Sequence, residues 1–163
     1  MLRIQKSDVV EKVIAVLFEK INVMKKSVEF AHVTATHEET KAESKYDTFA
    51  LEASYLANGQ SKRLADLEDS LFDYQNLQLK DYLKTDAIQV GSLVTLEDDE
   101  GQKKHFFLAP SSGGILVELD GCNVTTLTVD SPMGAQLVGA HYKSSIEVQI
   151  KNHTVEYEII NVI

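Results

Sequence analysis

The fold is decided by residues 10–35, VEKVIAVLFEKINVMKKSVEFAHVTA, in which apolar residues recur at alternating spacings of four and three. The recurring positions are Val10, Ile14, Leu17, Ile21, Met24, Val28, Ala31 and Ala35. This spacing is the heptad seam of a coiled coil. The stretch therefore predicts a long helix that packs against a second helix.

A second seam with the same spacing follows in the chain, at Ala50, Ala53, Ala57, Gln60, Leu64, Leu67, Leu71 and Tyr74. Facing positions of two antiparallel helices have numbers that add to a constant, and the seam pairs from 14/74 to 35/53 all add to 88. The sequence thus predicts an antiparallel hairpin of two helices, over about residues 8–42 and 46–82, with its turn at Ser44. At about 1.5 Å per residue, each helix would be ~45–50 Å long. Two helices of an ordinary bundle are the alternative.

The rest of the chain has a different composition. Both prolines and seven of the eight glycines lie beyond residue 90. Short β-rich runs separated by turn signals are found there, at residues 91–97, 104–108, 115–119, 124–129, 146–150 and 155–160. Asp120 and Gly121 predict a hairpin turn, while Ser131 and Pro132 predict the start of a short helix that ends at Gly139.

These patterns together predict an α+β fold. Residues 1–84 would form the coiled-coil hairpin, with its tip near residues 41–47. Residues 85–163 would form a small antiparallel β domain with one short helix.

Composition and charge exclude several classes of function. Sixteen basic and 25 acidic side chains give a net charge of −9, which disfavours DNA binding and attachment to an anionic membrane. No apolar run approaches the ~20 residues of a membrane-spanning helix, and no signal peptide is recognisable. Cys122 is the single cysteine of the sequence, so a reducing intracellular setting and a soluble protein are expected.

The sequence also lacks the usual signatures of an enzyme. The five histidines are scattered, and His32 and His37 are too far apart to form a metal pair at i and i+4. We find no glycine-rich phosphate loop, nucleophile elbow or Cys-His pair. The chain is therefore expected to have no catalytic residues of its own.

Three stretches of the C-terminal half resemble a known family. They are residues 90–96 (VGSLVTL), residues 131–139 (SPMGAQLVG) and residues 156–160 (EYEII). Their order and sequence resemble the bacterial Gre transcript-cleavage factors, which bind RNA polymerase. In the hairpin, residues 42–48 and 51–57 together with Arg63 are similar to a divergent branch that is neither GreA nor GreB. The resemblance implies an FKBP-like fold for the β domain.

The resemblance also implies a mechanism. Family members insert their hairpin into the secondary channel of RNA polymerase and present acidic tip residues to the active centre. There a carboxylate helps to hold a second Mg²⁺, so that the polymerase itself cleaves backtracked RNA. This Mg²⁺ would be shared with the polymerase, and no intrinsic cofactor is expected.

The tip acids follow from the same resemblance. When Arg63 is matched to the corresponding arginine of the family, Glu43 falls on the first tip acid and Tyr46 on the second, with Asp47 one residue later. The candidate acids, and candidate Mg²⁺ ligands in trans, are Glu43 and Asp47, with Glu38 and Glu39 as reserves. Since the two-acid motif of the cleaving members is not intact here, a regulator or inhibitor of RNA polymerase that does not cleave is an alternative.

The family-like turn suggests where the β domain docks on the polymerase, with Ser131, Pro132, Met133 and Gly134 as the candidate residues. Four basic and eleven acidic side chains give residues 85–163 a net charge of −7, which disfavours contact with the nascent RNA. A coiled-coil adaptor and a peptidyl-prolyl isomerase are further alternatives. The isomerase would need an aromatic-lined pocket, and this half has few aromatic residues. The expected location is the bacterial cytoplasm.

Overall fold

The computed structural model describes residues 4–36, 48–150 and 153–163. In these residues the chain forms, in order, helices α1 (Lys6–Thr36) and α2 (Thr48–Gln75), strands β1 (Leu93–Asp98), β2 (Lys103–Ala109), β3 (Leu116–Leu119) and β4 (Cys122–Thr128), helix α3 (Pro132–Leu137), and strands β5 (Ser145–Ile150) and β6 (His153–Val162). The predicted α+β fold, with a helical hairpin followed by a sheet domain that carries one short helix, is confirmed.

Two side-chain contacts establish the direction of the hairpin. The ammonium Nζ of Lys25 lies 3.0 Å from Oε1 of Glu68, and Nε2 of His32 lies 3.3 Å from Oγ of Ser61. Seven residues forward along α1 thus correspond to seven residues backward along α2, so the helices are antiparallel. Both contacts are made by residues beside the predicted seam and not by seam residues. The prediction that the numbers of facing seam residues add to 88 therefore stays a prediction.

The buried residues of α1 follow the predicted seam except near its start. The seam positions that are buried as predicted in the two helices include Leu17, Ile21, Ala31 and Ala57. At the start of α1, Val9 and Val13 are fully buried, whereas Val10 and Ile14 are only half-buried. The predicted seam is therefore wrong by one residue there. This part of α1 belongs to the same compact unit as the sheet, which comprises Met1–Ile14 and Asp73–Ile163. Packing against the second helix therefore does not alone determine which face of α1 is buried at its start.

The second helix is shorter than predicted. It ends at Gln75, whereas the sequence predicts that the second helix of the hairpin extends to about residue 82. Beyond it, Leu77 and Leu79 are half-buried while Gln78 and Lys80 are exposed. This alternation has the period of two of an extended chain rather than that of a helix.

The six strands of the described residues form one sheet in the order β3-β4-β2-β1-β6-β5. The pairs β1–β2, β1–β6, β3–β4 and β5–β6 are antiparallel, but β2 and β4 are parallel. The predicted antiparallel sheet is thus a mixed one. After β2 the chain crosses to the sheet edge, forms β3, and returns as β4 between β3 and β2. The β3–β4 hairpin therefore pairs with β2 through its second strand, β4, and β4 runs in the same direction as β2.

A hydrophobic core lies on the sheet and includes α3. Its buried members are Ile88, Val94, Leu96, Leu108, Leu137, Ile146, Val148, Tyr157 and Ile159. Leu137 belongs to α3, and Met133 of the same helix packs against the cluster. Burial of a large apolar side chain contributes about 1.5–3 kcal/mol at each such position. These contributions hold the short helix on the sheet.

The chain divides into two compact units. The sheet unit comprises Met1–Ile14 and Asp73–Ile163, and the helical unit comprises Ala15–Phe72. This grouping follows contacts rather than chain order, and the domain boundary expected between residues 84 and 85 stays a prediction. Of the helices that the structure describes, none is both long and apolar enough to cross a membrane.

Candidate functional site

The predicted tip lies between the two long helices, in the part of the chain outside the described residues. The described part of α1 ends at Thr36 and α2 begins at Thr48. The turn at Ser44 and the candidate acids therefore lie outside the described residues: Glu38, Glu39, Glu43 and Asp47. Their role stays a prediction based on sequence.

The predicted docking turn begins α3 and is built around a helix cap. Ser131 has an extended backbone (φ −72°, ψ 151°), and its Oγ accepts a hydrogen bond from the Gly134 N–H at 3.1 Å. The same hydroxyl donates to the carbonyl oxygen of Thr128 at 2.7 Å, and Pro132 is the first helical residue. The predicted N-cap is confirmed.

The next residues of the turn also have roles within the fold. A Cβ added to Gly134 would lie 2.0 Å from the carbonyl oxygen of Thr128, so only glycine fits this close approach. Met133 is partly buried against the core, and Pro132 is exposed. The motif that gives the family resemblance is thus a folding motif, and a docking role for its four residues stays a prediction.

A cleft of about 930 Å³ lies within the sheet unit. Its walls come from the start of α1, the extended segment after α2 and strands β1, β2 and β6, and are lined by Ile4, Gln5, Lys6, Ser7, Leu79, Asp81, Tyr82, Leu93, Thr95, His105, Asn161 and Ile163. Oγ1 of Thr95 and Nδ1 of His105 are 3.0 Å apart, because these residues face each other in the β1–β2 register. Sequence reasoning missed this cleft, since its residues come from five separate segments.

Two basic side chains that line the cleft have a lowered pKa. Burial lowers the pKa of Lys6, and the nearby Asp81 carboxylate opposes this effect. The Lys6 ammonium donates to the Lys80 carbonyl oxygen and lies 4.6 Å from the centre of the Tyr82 ring. Burial, followed by the charge of Lys103, also lowers the pKa of His105.

These walls do not resemble a catalytic centre or an isomerase pocket. Among the residues that line the cleft, Tyr82 is the sole phenylalanine, tyrosine or tryptophan, whereas an isomerase site needs an apolar aromatic wall. Within the described residues, no group of three or more His, Cys, Asp or Glu side chains could hold a metal ion. The cleft offers a mixed surface for binding and no recognisable acid-base constellation.

A smaller hollow of about 270 Å³ carries acidic side chains. It is lined by Glu97, Asp98, Asp99, Ser145, Glu156 and Glu158. Two lysines offset part of this charge, since Lys103 lies 3.6 Å from Glu97 and Lys104 lies 3.7 Å from Asp98. A hydrogen bond from Lys104 to the Tyr157 hydroxyl, 2.9 Å long, is the main cause that raises the pKa of Lys104. The surface of this hollow remains electronegative.

Comparisons with known proteins identify a family for the C-terminal half of the chain. Residues 83–163 match the family model described as transcription elongation factor, GreA/GreB, C-terminal. No curated protein sequence matches the chain.

Three solved structures are also similar to the chain at low sequence identity. The chain is 20% identical to the GreA factor homolog 1 (Gfh1) protein of Thermus thermophilus, with 92% of this chain and 94% of that chain covered and a TM-score of 0.39. It is 21% identical to Thermus aquaticus Gfh1, with 91% and 92% covered and a TM-score of 0.39. A transcription elongation factor GreA/GreB from Nitrosomonas europaea is 17% identical, with 59% and 78% covered and a TM-score of 0.38.

The family match begins just before the sheet domain and includes every strand of the sheet and the capped helix α3. It therefore coincides with the stretches in which the sequence resemblance was seen. The C-terminal half of the chain, residues 83–163, therefore belongs to the Gre-type family of transcription elongation factors.

Proposed function

We propose that this protein is a bacterial transcription factor that binds RNA polymerase and inserts its hairpin into the secondary channel. There it modulates elongation or stimulates cleavage of backtracked RNA. The observation that supports the proposal is a GreA/GreB C-terminal domain placed behind an antiparallel helical hairpin. The protein would act in the cytoplasm and would not itself be an enzyme, since the reaction belongs to the polymerase.

The dimensions of the helices support this proposal. The 31 residues of α1 correspond to about 46 Å of helix, which is enough to carry a tip into a deep channel. Small side chains are buried in the distal seam, namely Ala31 and Ala57, and small residues allow close approach of two helices. A thin distal hairpin suits a narrow channel.

The proposed contribution of the tip is a pair of carboxylates, Glu43 and Asp47. Mg²⁺ is a hard cation that prefers oxygen ligands and keeps several waters, and it would activate a water and stabilise the charge that develops on the phosphate. Two carboxylates offer too few ligands to hold this ion alone. The polymerase would supply the others, so the free chain should bind Mg²⁺ weakly.

A second candidate function is regulation without cleavage. It is favoured by Tyr46, which stands where the resemblance places the second tip acid. A phenol with its ordinary pKa near 10 is neutral at pH 7 and is a weak ligand for Mg²⁺. A hairpin of this kind would act by occupying the channel.

The proposal is tested in two steps with the full chain. A pull-down with core RNA polymerase measures binding, and backtracked elongation complexes then report RNA cleavage and the rate of nucleotide addition. We expect binding, together with a change in one of the two rates that Glu43→Ala/Asp47→Ala abolishes while affinity is kept.

Glu29→Ala/Glu52→Ala is the matched control, because these acids are exposed on the described helices and should leave both rates unchanged. If Glu38→Ala/Glu39→Ala were the pair that removed the effect, the wrong carboxylates would have been chosen. An effect that survives both tip variants would favour simple occupation of the channel. Failure to bind the polymerase would contradict the proposal as a whole.

A further inference from the structure

Two lysines share one aromatic ring on the surface of the sheet unit. The Nζ of Lys84 lies 5.1 Å from the centre of the Tyr142 ring, and the Nζ of Lys143 lies 5.7 Å from the same centre. Both lysines are exposed and Tyr142 is half-buried. Both ammonium groups lie within the range of a cation–π interaction, which places two like charges beside one ring.

Backbone hydrogen bonds hold the segments of the two lysines together. The Gly139 N–H donates to the Ile88 carbonyl oxygen at 2.9 Å, and the Ile88 N–H donates to the Ala140 carbonyl oxygen at 2.8 Å. The segment that carries Lys84 is thereby fixed against the segment that carries Tyr142. The fold thus brings the two segments together, and the exposed side chains of the two lysines meet at the Tyr142 ring.

The backbone at Lys143 is in a conformation that glycine would adopt more easily. The Ser144 N–H donates to the His141 carbonyl oxygen at 3.1 Å, which closes a β-turn with Tyr142 and Lys143 in its centre. Lys143 has φ +68° at the third position of this turn, where positive φ favours glycine or asparagine. A further hydrogen bond from the Lys143 N–H to the Ile159 carbonyl oxygen, 2.9 Å long, holds the conformation.

A long cationic side chain at such a position destabilises the turn relative to glycine. Strained residues of this kind are found preferentially at functional sites. Among the described residues, neither Lys84 nor Lys143 forms an ion pair. The nearest acid to Lys84 along the chain is Asp86, whose Oδ2 accepts a hydrogen bond from the Leu83 N–H at 3.0 Å.

We infer that Lys84, Tyr142 and Lys143 form a binding site for the carboxylates of an acidic segment of a partner protein. The two ammonium groups supply complementary charge, and the ring holds them in place. A nucleic acid fits less well because Tyr142 is half-buried, whereas binding of single strands depends on exposed rings on which bases stack. The ring is also already approached by two cations, which leaves little of it for stacking of a base.

The site is independent of the hairpin tip, so it is tested without RNA polymerase. The probe is a fluorescently labelled peptide of alternating Asp and Glu, titrated with the full chain at low salt and followed by anisotropy. We expect Kd for the peptide to rise about tenfold for Lys143→Gly and similarly for Lys84→Gln, and to rise with salt for the parent chain. The thermal midpoint of Lys143→Gly should be equal to or higher than that of the parent.

Lys103→Gln is the matched control, since this exposed lysine already pairs with Glu97, and it should leave Kd unchanged. Equal binding by Lys143→Gly and the parent would overturn the inference, as would an equal loss in the control. A lower thermal midpoint for Lys143→Gly would show that the lysine is present for stability. Tighter binding of a short oligo-uridine RNA than of the peptide would identify a nucleic-acid site instead.

Discussion

The helical unit and the sheet unit bury their apolar residues to different extents. Most of the fully buried large side chains belong to the sheet unit, for example Phe107, Leu108 and Ile159. In the helical unit, large apolar side chains remain at the surface, such as Val23 at 64% and Tyr55 at 70% exposure. A single seam between two helices is too narrow to cover them.

The difference shows that the two units have different physical requirements. The sheet unit carries a core of its own, which the capped helix α3 helps to cover. The helical unit is a two-helix seam whose stability depends on few layers. Such a unit is suited to presenting a surface and a tip, and the apolar residues on it are available to a partner such as the proposed polymerase channel.

The largest expected effect is in the core of the sheet unit. Leu108→Ala removes a fully buried side chain from a closely packed core, so we expect the free energy of unfolding to fall by about 4 kcal/mol. Chemical denaturation followed by circular dichroism measures this. Leu116→Ala, at a residue that is 59% exposed, is the control and should change stability by less than about 0.5 kcal/mol. A similar loss in both variants would contradict the described core.

A slightly smaller effect is expected at the start of α3. Gly134→Ala places a Cβ against the Thr128 carbonyl oxygen, so the helix must move away from its cap, at a cost of about 3 kcal/mol. Ala substitution of the neighbouring, exposed Pro132 should cost much less. The same denaturation measurement compares the two variants. If Gly134→Ala were neutral, the close approach that we describe would be wrong.

In the helical unit the loss should be smaller. Leu17→Ala removes a fully buried seam residue, but two helices with few layers relax more easily around the gap, and we expect about 2 kcal/mol, the lower end for such substitutions. Loss of helical circular dichroism on heating measures it. A loss equal to that of Leu108→Ala would show that the two units are packed alike and would remove the basis of the comparison.

The ion pair of the hairpin should contribute little. Lys25 and Glu68 are 56% and 48% exposed, so a double-mutant cycle with Lys25→Ala and Glu68→Ala should give a coupling of about 0.5 kcal/mol. The coupling should decrease at high salt. Zero coupling at low salt would argue against the contact, and with it against one of the two observations that establish the direction of the hairpin.

The smallest effect is a dependence of stability on pH through His105. Since the pKa of this residue is lowered in the folded state, the unfolded chain binds more protons as the pH falls through about 6.5, and stability decreases. His105→Gln should flatten the change in thermal midpoint between about pH 7.5 and 5.5. His141→Gln, at an exposed histidine, is the control. An identical pH profile for the parent and His105→Gln would contradict the burial of this ring.

Local signals were the ones that could be predicted from the sequence. The Asp120–Gly121 turn has φ of 50° and 78° at its two residues and joins β3 to β4, as the residue types indicated. The Ser131 cap and the glycine at position 139, which has positive φ, could be predicted in the same way. These features depend on neighbours along the chain, and a single sequence contains them in full.

The features that sequence reasoning missed depend on distant parts of the chain. The parallel pairing of β2 with β4 arises because β4, and not β3, is the strand of the β3–β4 hairpin that lies next to β2. The alternation of apolar and polar residues along a strand does not determine which of the two it is. The contact between Thr95 and His105 and the shared ring of Lys84 and Lys143 each join segments that only the folded sheet brings together. The end of α2 at Gln75 was missed because residues 76–82 contain neither glycine nor proline, the residues that would mark the end of a helix.

The central claim is that the hairpin delivers acidic tip residues to RNA polymerase. The most direct measurement compares the parent chain with Glu43→Ala/Asp47→Ala on backtracked elongation complexes, at equal occupancy of the polymerase. The account predicts that the parent changes RNA cleavage or the rate of nucleotide addition, and that the variant binds equally well but has no such effect. A variant that retained the full effect at equal occupancy would contradict the claim.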